Sequence, residues 1–185
     1  MNRLTDTVKT LLIANVMFFL GSQLLGDYAY KLFALWYPEN PNFQYWQLVT
    51  HMFMHGGLTH ILFNMFALYI FGSVLEMYVG QQRFLFLYFS AGLGAAGLQI
   101  LFSYMGFHEA YQSYIDAGIT PSQIQSVLDS ATQTGQYRTY GMSDDISTQL
   151  IQNYVTPMVG ASGAIFGVLA AFAVIYPNMP LYIIF

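Results

Sequence analysis

The sequence predicts an all-α protein, a polytopic membrane helix bundle of four spans plus the start of a fifth. Of its 185 residues, 56% are hydrophobic and only 8% are charged, and the mean hydropathy is +0.46. A water-soluble domain of this size would have to expose much of that apolar surface. A span needs roughly 20 mostly apolar residues to cross the hydrocarbon core, and such stretches fall at about 9–26, 58–79, 84–105 and 158–176, with another beginning at Leu181–Phe185. A long polar insert, residues 106–156, separates the third from the fourth. Helices in lipid are held by their neighbours and not by a separate aqueous core, so residues 1–185 are expected to form one domain that carries this insert.

The first stretch, Thr10 to Leu25, follows Arg3 and Lys9 and has the outline of a secretory signal. Gly21-Ser22-Gln23 runs on into further apolar residues without a cleavage pattern, so the stretch is read as a span. The second and third are joined by the short turn Gly80-Gln81-Gln82-Arg83. Alternating sides along the chain puts Arg3, Lys9 and Arg83 together, and the positive-inside rule makes that side, with the N-terminus, cytoplasmic. The opposite, non-cytoplasmic side then receives residues 27–57 and the insert, where Glu109, Asp116, Asp129, Asp144 and Asp145 face a single Arg138. The third stretch contains the small-residue run Ser90 to Gly97, and the fourth carries Gly163, Gly167 and Ala171 at four-residue spacing, a pattern that lets helix backbones approach closely.

Two helices are expected inside the insert. Thr120-Pro121-Ser122-Gln123 reads as N-cap, N1 proline and N3 glutamine ahead of Ile124, Val127 and Leu128. Ser143, with Asp144 and Asp145 in a first turn, leads into Ile146, Leu150, Ile151 and Tyr154 along one face. Those apolar faces need a partner: each other, the headgroup region or the rim of the bundle. The absence of cysteine excludes disulfides and thiolate metal sites. The net charge of −4 carries no signal for nucleic acid, and none is expected as a partner.

Three residues carry chemistry. Gly160-Ala161-Ser162-Gly163 follows Pro157 at the start of the fourth stretch, where a serine flanked by glycines has an accessible hydroxyl and unpaired N–H groups at a positive helix end. The same four residues in a membrane helix also serve plain packing. His60 and Asn64, four apart in His60-Ile61-Leu62-Phe63-Asn64, share one helical face and place two donors where lipid makes polar groups costly. A pair of interhelical hydrogen bonds would use them equally well. His51, His55 and His60 invite a metal reading, but Met52 stands where the glutamate of H-E-x-x-H would be, and neither a metal nor a cofactor is expected.

The run from Tyr45-Trp46-Gln47 through His51, His55 and His60 to Asn64, continued by Gly72, Glu76 and Gly80, resembles the loop and second helix of the rhomboid proteases. Gly160-Ala161-Ser162-Gly163-Ala164-Ile165-Phe166-Gly167 resembles the family's G-x-S-G helix, so two motifs agree in order and in span. The resemblance implies a six-helix core that cleaves transmembrane protein substrates in the lipid bilayer by a serine–histidine dyad. Ser162 would be the nucleophile, and its backbone N–H with the side chains of His60 and Asn64 would stabilise the oxyanion.

The family's base histidine lies on the sixth helix, while this chain reaches Phe185 at the start of the fifth. The 185 residues alone are therefore expected to be an inactive part of an intramembrane serine endopeptidase. Gln47 stands where many relatives have arginine, and the insert exceeds the short connection of minimal members. It is expected close to the mouth of the Ser162 cavity, because it connects directly to the helix that bears the serine. The alternative is a non-catalytic rhomboid-like pseudoprotease that binds membrane proteins. A channel or transporter is disfavoured because Glu76 is the only acid within the apolar stretches. The expected location is the bacterial inner membrane.

Overall fold

The computed structural model describes residues 4–178, and the expected fifth span at Leu181–Phe185 lies outside them. The described residues are helical apart from turns and one isolated antiparallel bridge, Leu35 with Met158. Helix α1 spans Asp6–Leu25, followed by α2 (Asp27–Phe33), α3 (Gln47–Thr50) and a 3-10 turn at His51–Phe53. The second span is α4 (Leu58–Ala67) and α5 (Ser73–Val79), joined without a break by a π turn at Leu68–Gly72. Then come α6 (Gln81–Asp116), α7 (Pro121–Thr134), α8 (Asp144–Val155) and α9 (Ser162–Ile175).

Three of these, α1, the α4–α5 helix and α6, are long and apolar enough to cross a membrane, and α9 is a shorter apolar helix. Two boundaries differ from the sequence reading. The third stretch does not stop at residue 105: α6 continues for 36 residues, about 54 Å, so the first part of the insert prolongs a span. The fourth does not begin at residue 158: its helix starts at Ser162 and runs for 14 residues, about 21 Å, less than the hydrocarbon thickness of about 30 Å.

The end of the bundle where α1 begins is fastened by Glu76, a buried acid that accepts hydrogen bonds from the Val8 N–H, at 3.1 Å, and from the Thr5 hydroxyl. It therefore caps the positive end of α1 from a neighbouring helix. One apolar core joins α1, the second span, α6 and α9 through Val8, Leu68, Phe84, Tyr88, Ala164 and Val168. Outward-facing side chains remain apolar, with Phe86 77%, Phe166 69% and Val174 80% exposed, a surface suited to lipid.

A second core sits where α6 outlasts the bundle. Phe107, Ala110 and Tyr114 of α6 meet Ile124 and Leu128 of α7, Leu150 and Tyr154 of α8, and Tyr37 from the loop between α2 and α3. The apolar faces of the insert helices thus cover each other and the extension of α6. Both caps form as expected: Thr120 and Gln123 make a reciprocal capping box, and Ser143 accepts from the Ile146 N–H.

Candidate functional site

Ser162 is the first residue of α9 and is half-buried. The first helical bond there runs from the Ile165 N–H to the Ala161 carbonyl, so the N–H groups before it, including that of Ser162, lie at the unpaired end of the helix. The segment before it is held on both sides. Leu35 and Met158 exchange two backbone hydrogen bonds of 2.9 and 2.8 Å, and the Gly160 N–H donates to the His51 carbonyl at 2.8 Å.

Gly160 adopts φ +118°, a conformation that side chains resist, and its bare Cα leaves a gap that two reactive groups share. A Cβ placed there would lie 2.8 Å from both Cε1 and Nε2 of His60 and 3.6 Å from Ser162 Oγ. The structure therefore brings His60 and Ser162 to the same point. The Gly56 N–H approaches His60 Nδ1 at 3.4 Å, and a ring that accepts there at Nδ1 has Nε2 as its donor, the atom that with Cε1 borders that point. Asn64 lies one turn further along α4 and is buried, and its Nδ2 makes no hydrogen bond to the described residues. A buried amide with unused donors is costly unless something else takes them.

The other two histidines of the run hold the loop. His51 Nδ1 donates to the Gln47 carbonyl at 2.8 Å, and His55 Nδ1 meets the Phe53 carbonyl at 3.3 Å. The His55 and His60 rings meet edge to face with centroids 5.0 Å apart. Burial, with the neighbouring His60 ring, depresses His55 to about 4, and burial lowers His51 as well, so both rings are neutral at physiological pH. Among the described residues, no group of three His, Asp or Glu side chains is placed to hold a metal ion.

Gln47 has a larger part than the sequence signalled. It is fully buried; its Oε1 accepts from the N–H groups of Gln44 and Trp36, at 3.0 and 3.4 Å, and its Nε2 donates to the carbonyls of Asn42 and Lys31, at 2.8 and 3.0 Å. One amide thus ties the two arms of the 34–47 loop together from inside. Glutamine can accept as well as donate, which an arginine cannot.

Four packed apolar helices, with a serine at the start of the last and a histidine and asparagine on a facing span, define a polytopic membrane protein with a buried polar site. The Rhomboid domain profile matches this chain over residues 42–109 and 105–185, which includes both the His60–Asn64 helix and the Ser162 helix. The chain belongs to the rhomboid family and is an integral membrane protein.

Proposed function

We propose that the protein is an intramembrane serine endopeptidase in which Ser162 is the nucleophile. The observation that carries this reading is the convergence of Ser162 Oγ and His60 Nε2 on the empty side-chain position of Gly160. Ser162 Oγ attacks the scissile carbonyl of a transmembrane protein substrate, the C–N bond breaks, and the amine departs with the proton that the serine lost. Water then hydrolyses the acyl-enzyme. The Ser162 N–H, the His60 Nε2–H and the Asn64 amide stabilise the charge that develops on the carbonyl oxygen.

The general base is assigned to none of the four histidines in these 185 residues. His51 and His55 are bound to backbone carbonyls, His60 presents a proton where a base needs a lone pair, and His108 is exposed on the insert side of α6. The reading places the base on a histidine beyond Phe185, and its test uses the chain together with its downstream sequence. Ser162→Ala is expected to abolish cleavage of a membrane-inserted reporter while membrane insertion and yield stay as in the wild type. Cleavage by Ser162→Ala would overturn the assignment, as would downstream spans that carry no histidine. We further propose the bacterial inner membrane as the location, with the N-terminus cytoplasmic and the insert on the exported face.

A further inference from the structure

The second apolar core is joined to the loop before α3 by contacts that the proposed chemistry does not use. Asn40 is 3% exposed, and its side chain is occupied at both ends: Oδ1 accepts from the Asn42 N–H at 2.9 Å, and Nδ2 donates to the Tyr154 carbonyl at 2.9 Å. Tyr154, at the end of α8, also donates from its hydroxyl to the Glu39 carbonyl at 3.1 Å. Its ring stacks on Phe107 of α6 with centroids 5.6 Å apart and 25° between planes, and it packs against Tyr37. Four residues further on, Met158 pairs with Leu35, and Gly160 bonds to His51. The chain leaving the insert is thus fastened to the 35–40 loop at Tyr154 and at Met158 before it reaches Ser162.

We infer that Asn40 and Tyr154 are positioning residues, which lock the α7–α8 insert to the 35–40 loop and so fix the Met158–Gly160 segment that sets where Ser162 stands. The catalytic part of this inference rests on the protease reading; the mechanical part does not. Three features support it. Asn40 and Tyr154 lie 114 residues apart in sequence, so their bond joins two segments that nothing local would hold together. Asn40 is buried between a turn and α8, where an unpaired amide would be costly. The segment it steadies contains Gly160, whose φ of +118° and approach to His60 leave little freedom for drift. A displacement of about 1 Å at a reacting atom can cost a hundredfold in rate.

The test uses two near-isosteric variants of the chain with its downstream sequence. Asn40→Asp sets an acceptor against the Tyr154 carbonyl, and Tyr154→Phe removes the hydroxyl while keeping the ring. Hydrogen exchange in detergent reports the mechanical part without any need for activity. Amides of the 35–40 and 154–160 segments are expected to exchange roughly three- to tenfold faster in each variant, while those of α1 and the bundle part of α6 stay as in the wild type. Cleavage kinetics report the catalytic part: kcat falls roughly tenfold with KM within twofold. Unchanged exchange in both segments in both variants overturns the inference whatever the kinetics, and so does a uniform rise in exchange across the bundle. If local exchange rises while kcat is untouched, the positioning role is refuted even though the lock exists. Failure of the protease reading would show separately, as absence of cleavage by the wild type.

Discussion

Gly160 decides how closely His60 stands to Ser162. Any side chain there would meet the imidazole at 2.8 Å and would also have to tolerate φ +118°. On the proposed reading His60 and Asn64 stabilise the oxyanion, and His60→Ala or Asn64→Ala should each lower the cleavage rate roughly ten- to a thousandfold, the scale for losing one such donor. Two silent variants would remove that role. These residues were legible because a four-residue spacing on an apolar helix forces both onto one face. Gln47 was legible only as a departure from the arginine of relatives; its burial and its grip on both arms of the loop depend on a fold that spacing does not encode. His55 gives a pH prediction. Its folded value of about 4 lies below the usual 6.5, so the unfolded chain binds the extra proton first. The stabilisation is complete above about pH 6.5 and is lost as the pH falls through about 4. Thermal unfolding in detergent, followed by Trp36 and Trp46 fluorescence, should show the midpoint dropping across that window. His55→Gln should flatten the drop, and an identical pH profile in the variant would contradict the account.

At the scale of elements, α9 is placed by small residues. A Cβ on Gly163 would lie 2.4 Å from Ala95 Cβ, and one on Gly167 2.3 Å from Ala91 Cβ, so α6 and α9 touch nearly backbone to backbone. Ala91 and Ala95 have no flexible atoms to move aside, and Gly167→Leu should therefore destabilise the bundle by roughly 1–3 kcal/mol, the cost of overpacking a tight contact. Gly94→Leu, at a position with nothing within 4 Å, is the control. Equal unfolding midpoints for the two variants would mean that α6 and α9 do not depend on this contact. The insert helices were legible in full because their caps and apolar faces are local signals. The length of α6 was not. The apolar stretch ends at residue 105 where polar residues begin, yet the helix runs on, and Gly106 is the place where α8 leans on α6, with a Cβ there only 2.6 Å from Asn153 Nδ2.

At the scale of the whole molecule, the two larger apolar cores among the described residues share one long helix, α6. The lower core holds the spans in lipid, and the upper one packs the insert onto the extension of α6 and onto Tyr37. Hydropathy revealed the first, because stretches of span length are visible in any window. The second was legible only in part: Ile124, Leu128, Leu150 and Tyr154 stand on faces that needed a partner, but only the fold gathers Tyr37, Phe107, Ala110 and Tyr114 onto them. Ser162 stands where the chain passes from the upper core into the lower, steadied by Leu35 from one side and His51 from the other. The most direct measurement of whether that serine is an activated nucleophile is covalent labelling by a fluorophosphonate in native membranes, with the modified residue identified by mass spectrometry. The account predicts one phosphonylated site, Ser162, in the chain with its downstream sequence, and none in Ser162→Ala. Persistent labelling of the Ser162→Ala protein, or no labelling of a wild type that is shown to be folded, would contradict it.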